Sequence, residues 1–350
     1  MKLTAGIKKN NFLFCRFIYF LWLFFLTISF SCNLPKANND SNNLFTLLSP
    51  EQTGIHFSND LTYTEEFNPY TYRNFFNGGG VAVGDINNDG LPDIFFCSNQ
   101  GSNKLYLNKG NFKFEDITDK TGLNSEGVWS TGVTMAVVNG DGLLDIYVCK
   151  SGDFRGKNRS NALYINNGNL TFTEMAKEYG LNNMGLSTHA VFFDCDNDGD
   201  LDCYLLNNSF RSVGNYDLVK DQRTIKDTLG GNKLFRIDNN HFGDVTAAAG
   251  IYSSKIGFGL GVTIADINKD GWPDIYVSND FFEKDYLYIN KRDGTFEESL
   301  EKYIRELSMN SMGADIADIN NDGYPEIYVT DMLPETDARI KTKTSFENWD

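Results

Sequence analysis

Proline is scarce in this chain, with 7 residues among 350, whereas glycine occurs 32 times and aromatic residues make up 14% of the composition. Strands joined by tight turns account for such a balance, because glycine permits turn conformations and aromatic side chains suit pleated sheets. Hydrophobic residues at 41% and charged residues at 22% argue against a wholly disordered chain. We therefore expect a folded protein built largely from strands.

Positive charge is also in short supply. Lys and Arg number 31 against 47 Asp and Glu, which gives a formal net charge of -16. An acidic surface repels phosphate backbones, so we expect no nucleic-acid partner. Acidic loops attract cations instead, and oxygen-rich loops are where calcium binds in proteins.

Cysteine chemistry is limited, because none of the 6 cysteines forms a CxxC pair. This excludes zinc ribbons and thioredoxin-like motifs. Cys15 and Cys32 belong to an N-terminal export segment, which leaves four for the folded part: Cys97, Cys149, Cys195 and Cys203. Export permits disulfides. However, later repeats place Ser278 and Thr330 where Cys97 and Cys149 stand, and a small packed position predicts free, buried thiols.

No apolar run reaches the length of a bilayer span, since the uncharged stretch 17–30 is shorter than the ~20 residues required. It follows a basic region and ends at Ser29-Phe30-Ser31-Cys32, which resembles a bacterial lipobox, although Leu is usual where Ser29 stands. We therefore predict a lipoprotein signal peptide over 1–32, lipidation at Cys32 and a polar tether over 33–44. The protein would be exported and held on the bacterial (outer) membrane, at the cell surface or on the periplasmic side, by its lipid anchor alone. A plain cleaved signal and a retained anchor helix are the alternatives.

An internal repeat dominates the rest of the sequence. Five acidic nonapeptides begin at residues 85, 137, 194, 266 and 318, and we call them loops one to five: Asp85–Asp93, Val137–Asp145, Asp194–Asp202, Asp266–Asp274 and Asp318–Glu326. A run of small and apolar residues precedes each loop, and an apolar strand such as IFFCS or IYVSN follows it. Further strand patterns recur after that, as in KLYLN and FKFED. Four strands in each unit of fifty-odd residues is the period of a β-propeller blade.

The loops have the residue types that a calcium site needs. Carboxylates or amides occupy positions 1, 3 and 5, glycine at position 6 permits the turn, a backbone carbonyl is available at position 7, and a carboxylate stands at position 9. This is not an EF-hand, because position 12 lies inside a strand. The predicted ligands are Asp85, Asn87, Asp89, Leu91, Asp93, Asp194, Asp196, Asp198, Asp200, Asp202, Asp266, Asn268, Asp270, Trp272, Asp274, Asp318, Asn320, Asp322, Tyr324 and Glu326.

Two loops depart from the pattern. Loop two has Val137 in place of the first carboxylate, so we expect its remaining candidates, Asn139, Asp141 and Asp145, to bind calcium less well. Loop five ends in Glu326 instead of Asp, and the longer side chain can still reach an ion.

These loops and their flanks resemble FG-GAP or VCBS repeats, the blades of the integrin α-subunit propeller, and more closely the bacterial relatives of cartilage acidic protein in the ASPIC/UnbV family. The resemblance covers roughly residues 45–350. It implies an all-β propeller of four-stranded blades, calcium in the loops, and extracellular binding of proteins or glycans without a shared enzyme activity. Such propellers usually close with about seven blades. The chain is then either an incomplete part of a larger ring, or residues 45–80 help to complete a smaller one.

Two functional classes follow. The first is a calcium-binding surface module that binds a protein or glycan partner and has no catalysis of its own. The second is the propeller domain of a secreted polysaccharide-processing enzyme or enzyme subunit. The three histidines, His56, His189 and His241, are scattered among different units, which favours the first class. Units two and three carry insertions at 151–160 and 209–231, and their basic residues, among them Arg155, Lys157 and Arg159, are candidates for gripping an anionic ligand; a solvated loop is the alternative.

Overall fold

The computed structural model describes residues 44–332 except 124, 126, 153–157, 211–221, 282 and 309. The predicted signal peptide with Cys32 and the tether residues 33–43 lie outside this range, as do Arg155 and Lys157. The chain divides into two compact units, Met1–Leu48 and Ser49–Asp350, and the description below concerns the second. Among the described residues, no helix is both long and apolar enough to cross a membrane.

In the described part of the chain, eighteen strands form four four-stranded antiparallel sheets and one two-stranded sheet, each in simple chain order. Sheet one contains β1 Val81–Gly84, β2 Asp93–Phe96, β3 Lys104–Asn108 and β4 Phe114–Asp116. Sheet two contains β5 Ser130–Ala136, β6 Asp145–Lys150, β7 Ala162–Asn166 and β8 Phe172–Glu174. Sheet three contains β9 Leu186–Phe193, β10 Asp202–Asn208, β11 Lys233–Asp238 and β12 His241–Asp244. Sheet four contains β13 Gly259–Ala265, β14 Asp274–Asn279, β15 Tyr286–Asn290 and β16 Phe296–Glu298, and sheet five contains β17 Ser311–Ala317 and β18 Glu326–Asp331.

The helical elements found within residues 44–332 are single turns. Three are α-helical: α1 Pro50–Thr53, α2 Ala176–Tyr179 and α3 Leu300–Tyr303. Three more are 3₁₀ turns: Arg73–Phe76, Thr118–Lys120 and Gln222–Thr224. The all-β class expected from the sequence is therefore confirmed, with the sheets as propeller blades.

Consecutive blades meet through their first strands, since β1 contacts β5, β5 contacts β9, β9 contacts β13 and β13 contacts β17. Apolar side chains from two neighbouring blades share each core, as Phe95 of blade one and Val133 of blade two do. A tyrosine stands at the third position of the second strand in blades two, three and four. These residues, Tyr147, Tyr204 and Tyr276, are also buried. The four cysteines of the folded part are buried free thiols, as the repeat comparison predicted.

A glycine five residues before four of the five acidic loops lets the first strands approach closely. A Cβ on Gly132 would lie 2.4 Å from the carbonyl oxygen of Thr188, and one on Gly80 would lie 2.8 Å from that of Thr131. Threonine hydroxyls then bond across the gap, as Thr263 Oγ1 does to the carbonyl of Ala314 at 2.8 Å. In blade three His189 takes the place of this glycine.

Each outer strand rests on a short element that comes before its own blade in the chain. A Cβ on Gly122, which follows blade one, would lie 2.9 Å from the carbonyl oxygen of Phe172 in blade two. Gly180 stands in the same relation to Phe242, and Gly250 to Phe296. Gly54, at the end of α1, has this relation to Phe114 of blade one at 2.5 Å. Residues 49–55 are thus a buttress of the same kind, which the sequence comparison did not detect.

The rest of the N-terminal segment crosses the blades at the end opposite the acidic loops. Residues 56–80 contribute no strand to the five sheets. Asn59 bonds Asn99 of blade one at 2.8 Å. The Tyr72 hydroxyl donates to Ser151 of blade two at 2.9 Å. Phe67, Tyr72, Phe75 and Trp129 form an aromatic cluster there. This segment therefore braces blades one and two.

Both ends of the blade array keep an open face within the described residues. Val81 and Val83 of blade one are 54% and 61% exposed, while Val133, the equivalent of Val81 in blade two, is 4% exposed. In the last sheet Tyr328 is 67% exposed, although its counterparts Tyr147 and Tyr276 are buried. The described residues are therefore a run of four complete blades and the inner half of a fifth.

Replacing Gly132 with Ala should destabilise the fold by about 1–3 kcal/mol, because the added methyl meets backbone rather than a side chain that can move. Gly313→Ala is the matched control: it changes the same blade position, but its Cβ would meet only Thr330 Oγ1, at 3.9 Å. Urea denaturation of the two variants measures the difference. Equal free energies of unfolding in the two variants would show that the first strands of neighbouring blades are not in close contact at Gly132.

Candidate metal centres

All five acidic loops connect the first strand of a blade to the second. The pairing Gly84↔Asp93 closes loop one, and Ala265↔Asp274 closes loop four in the same register. The ninth residue of each loop is therefore the first residue of the second strand, with its backbone already in the sheet. Because every blade repeats this topology, the loops lie at one end of their blades.

The first residue of the loop accepts two backbone hydrogen bonds through its carboxylate. In loop one, Asp85 Oδ1 accepts from the amide of Asp89 at 3.1 Å and Oδ2 from that of Gly90 at 2.7 Å. Asp194, Asp266 and Asp318 repeat both bonds in loops three, four and five. The fifth residue accepts from the seventh, as Asp89 Oδ1 does from Leu91 at 2.9 Å. These bonds coil the backbone around the side-chain oxygens.

Two loop positions require left-handed backbone. Glycine at position 6 has a φ of 85° at Gly90 and 97° at Gly199, which confirms the reason given for that glycine. Position 4 is left-handed as well, with φ of 57° at Asn88 and 61° at Lys269. The sequence analysis missed position 4, although Asn in three loops and Gly140 in another were a signal for it.

The ninth carboxylate is a buried structural group. Asp93 is 0% exposed, and its Oδ2 accepts from the amide of Ile86 at 3.0 Å while Oδ1 accepts from that of Asn108 at 2.7 Å. Asp145, Asp202 and Asp274 repeat this pair of bonds. Burial raises the pKa of Asp145 to about 6 and raises the pKa of Asp93, despite these bonds. In blades one to four the ninth carboxylate joins the start of its loop to the third strand, a role the sequence did not predict.

Loop three brings its carboxylates closest together. Oxygens of Asp194, Asp196 and Asp202 all lie within 4.8 Å of one another. Asp196 Oδ1 is buried and accepts no hydrogen bond. Burial, and then the charges of Asp198 and Asp194, raise the pKa of Asp196, while Arg236 beside it opposes this shift. A hard cation with oxygen ligands would satisfy the orphan oxygen and neutralise the cluster.

The third position explains why the other loops differ. In loops one, four and five it is Asn, whose Nδ2 donates to Oδ2 of the fifth residue, as Asn268 does to Asp270 at 3.1 Å. In loop four, Arg292 Nη2 also lies 3.1 Å from Asp270 Oδ2. The amide oxygens of Asn87, Asn268 and Asn320 accept from the backbone of the fifth residue. These loops keep their oxygens in place through internal bonds.

Loop two lacks the first anchor. Val137 has no side-chain oxygen, and the amide of Asp141 is held by Asn139 Oδ1 at 3.0 Å. Asp141 still accepts from Leu143 at 2.8 Å. In loop five, Glu326 Oε2 accepts from Ile319 at 2.9 Å, as Asp does elsewhere. The carbonyls of Leu91, Asp200, Trp272 and Tyr324 remain predicted ligands.

The described parts of the insertions lie at the opposite end of the blades, between second and third strands. Arg159 is 7% exposed, donates through Nε to the carbonyl of Met184 at 3.1 Å and stacks over Phe210 at 4.9 Å. Arg223 pairs with Glu283 of blade four, whose side chain is 2% exposed. These two arginines brace the scaffold, so the expectation that Arg159 is presented to a ligand is not supported by its burial.

The model of the FG-GAP-like repeat matches residues 85–148, 138–205 and 266–329, which together cover more than half of the chain. Cartilage acidic protein 1 of Xenopus tropicalis is 27% identical over 237 residues, which are 67% of this chain and 34% of that protein. Integrin alpha-8 of Gallus gallus is 34% identical over 125 residues, covering 32% of this chain and 12% of its own length. The chain thus spans about a third or less of these relatives.

Among solved structures, a lectin of Agrocybe aegerita that recognises non-reducing terminal N-acetylglucosamine is similar with a TM-score of 0.40 and 18% identity. The match covers 71% of this chain and 59% of the lectin. A rhamnogalacturonan lyase of Bacillus licheniformis follows with a TM-score of 0.33, 15% identity and coverage of 71% and 50%. Similarity at this level carries no information about function.

Replacing Asp145 with Asn should destabilise the protein by about 1–3 kcal/mol in the presence of a chelator, because an amide nitrogen would then face a backbone N–H donor in a buried place. Asp141→Asn in the same loop is the control, since Asp141 is exposed and Asn keeps an acceptor for Leu143. Urea denaturation at pH 7 compares the two. Similar losses in both variants would contradict a structural role for the ninth carboxylate.

Proposed function

Because the chain belongs to the family of FG-GAP-like repeats, we propose that it is a calcium-binding β-propeller module that recognises a protein or glycan partner. We place it outside the cell membrane, exported and anchored through lipid on Cys32. In this proposal the module has no catalysis of its own. Calcium would fill the acidic loops at one end of the blades, and the partner would bind elsewhere.

One observation carries the calcium assignment, namely the arrangement of loop three. Three carboxylates converge within 4.8 Å, and a buried oxygen of Asp196 has no hydrogen-bond donor. Buried carboxylate oxygens are normally paired, so an unpaired one beside two more carboxylates indicates a cation ligand. Loops one, four and five have the same backbone bonds with Asn in place of Asp at position 3.

We propose a place for partner binding by excluding the parts of the blades that internal contacts already hold. Blade strands are buried against their neighbours, and the acidic loops are tied down by their own hydrogen bonds. The insertion of blade three is the longest inter-strand connection, and its part over 222–229 is anchored, with Gln222 8% exposed and the amide of Asp227 bonded to Ser253 at 2.8 Å. We therefore propose that recognition lies in this insertion, including its residues 211–221, which lie outside the described residues.

Calcium should bind with a stoichiometry of about four ions per chain, one for each loop that keeps its first carboxylate. Asp89→Ala, Asp198→Ala, Asp270→Ala and Asp322→Ala should each remove about one ion, whereas Asp141→Ala should remove none. Isothermal titration with metal analysis measures these numbers. A melting temperature that a chelator leaves unchanged would overturn the calcium assignment, because an ion bound only by the folded state must raise it.

Replacing residues 211–221 with a short Gly/Ser turn should leave the fold and the calcium content intact, because shortening the connection between two strands changes its closure entropy little. The same change should weaken binding to partners found in a screen of glycans and surface proteins. Removing 222–229 as well is the informative contrast, because it takes Arg223 from buried Glu283 and should destabilise blade four. Unchanged partner binding after the 211–221 replacement would place recognition elsewhere, and turnover of a screened polysaccharide would favour the enzyme alternative.

A further inference from the structure

The last residue of the third strand touches two acidic loops at once in blades two and four. In blade four, Asn290 donates its backbone N–H to Asp274 Oδ1 at 2.8 Å, in its own loop. Its side-chain Nδ2 donates to the carbonyl of Cys195 at 2.8 Å, in loop three of the preceding blade. In blade two, Asn166 makes the equivalent bonds, to Asp145 at 2.8 Å and to the carbonyl of Ile86 at 2.8 Å.

The carbonyl that receives this amide lies between two predicted calcium ligands. Cys195 is position 2 of loop three, so its peptide links Asp194 to Asp196. The N–H of Cys195 is already held by Asp202 Oδ2 at 3.1 Å, and Asn290 holds its carbonyl. Cys195 and Asn290 are 1% and 2% exposed, so water does not compete for these bonds. Asn290 therefore fixes the backbone from which two ligands of the neighbouring loop project.

Blades one and three lack this side-chain link to a neighbouring loop. In blade three the equivalent residue is Ile237, which keeps the backbone bond to Asp202 at 3.0 Å but has no amide to donate to loop two. In blade one, Asn108 donates Nδ2 to the carbonyl of Pro92 in its own loop at 2.8 Å. The links thus join loop one to loop two and loop three to loop four, and no such link joins loop two to loop three.

From this geometry we infer that Asn290 is a positioning residue that couples calcium binding in loop three to calcium binding in loop four. The inference rests on the proposed calcium function. An ion in loop four fixes Asp274, Asp274 holds the backbone of Asn290, and the amide of Asn290 orders the peptide between Asp194 and Asp196. By linkage, an ion in loop three must favour binding in loop four by the same factor. Asn166 gives loop one the same support from blade two.

The test is a calcium titration of the whole chain followed by hydrogen exchange with mass spectrometry, which reads each loop separately. Asn290→Ser keeps an acceptor for the amide of Arg292, which Asn290 Oδ1 now binds at 2.9 Å, but cannot reach the neighbouring blade. We expect a loss of about three- to tenfold in calcium affinity at loop three, the effect of one buried hydrogen bond. Asn108→Ser is the matched control: its Oδ1 binds the amide of Gly110 at 2.9 Å, and loop three should not respond.

A second pair of variants tests the coupling by removing one predicted ligand from each of the two loops. Asp270→Ala removes a ligand of loop four, and it should weaken calcium binding at loop three in the otherwise unchanged chain but not in the Asn290→Ser background. Asp198→Ala should weaken loop four by the same factor. Should Asn290→Ser fail to fold, the reciprocal effect of Asp270→Ala and Asp198→Ala decides alone.

The outcomes separate the two claims. One outcome is that calcium protects loops three and four from exchange while neither Asn290→Ser nor Asp270→Ala changes the calcium affinity of loop three. That result would overturn the coupling and leave the calcium function standing. An absence of calcium protection at every loop would overturn both. The inference is supported if Asn290→Ser lowers the calcium affinity of loop three and leaves that of loop one unchanged. Asp270→Ala must then weaken calcium binding at loop three, and Asp198→Ala at loop four, by the same factor.

Discussion

The buried carboxylate at the ninth loop position is the interaction on which the blade depends. It accepts one N–H from the second residue of its loop and one from the last residue of the third strand, so it joins three pieces of chain at one point. A carboxylate can do this because both oxygens accept, whereas an amide would present a donor to one of the two N–H groups. Desolvation of the charge is the cost, visible as the raised pKa of Asp145. The same group is a predicted calcium ligand, so the blade and its acidic loop share one anchoring side chain.

Much of this architecture could be predicted from the sequence because it is periodic. Repeated strand patterns and DxNxDG loops at near-constant spacing indicated the blades, and the requirement of position 6 for glycine followed from the turn. The alternation of Asn and Asp at position 3 was also visible, but its effect was not: Asn bonds within the loop, while Asp196 leaves an oxygen free. Such differences depend on which side chain lies opposite in the folded loop. The residue type at one position does not reveal its hydrogen-bond partner.

Features that depend on neighbouring blades escaped the sequence analysis. Asn290 reads as the end of a LYIN strand, and only its contact with Cys195 of another blade shows its second role. Arg159 was a candidate for gripping an anionic ligand, with a solvated loop as the alternative, whereas it stacks over Phe210; Arg223, in the other insertion, pairs with Glu283. Residues 49–55 were not recognised as a repeat element because an isolated PEQTGI has too few residues to stand out. In each case the missing information is a contact between distant parts of the chain.

The buttress at Gly54 has a consequence for the order in which the chain becomes structured. Each outer strand rests on a turn that precedes its own blade, as Phe114 does on Gly54 and Phe172 on Gly122. A chain that emerges from its N-terminus therefore delivers every support before the strand that needs it. The outer strand of each blade can therefore dock on a turn that is already synthesised, and the segment that follows a blade supports the outer strand of the next. The covalent order of the elements acts as an assembly sequence, which a chain cut at blade boundaries would lose.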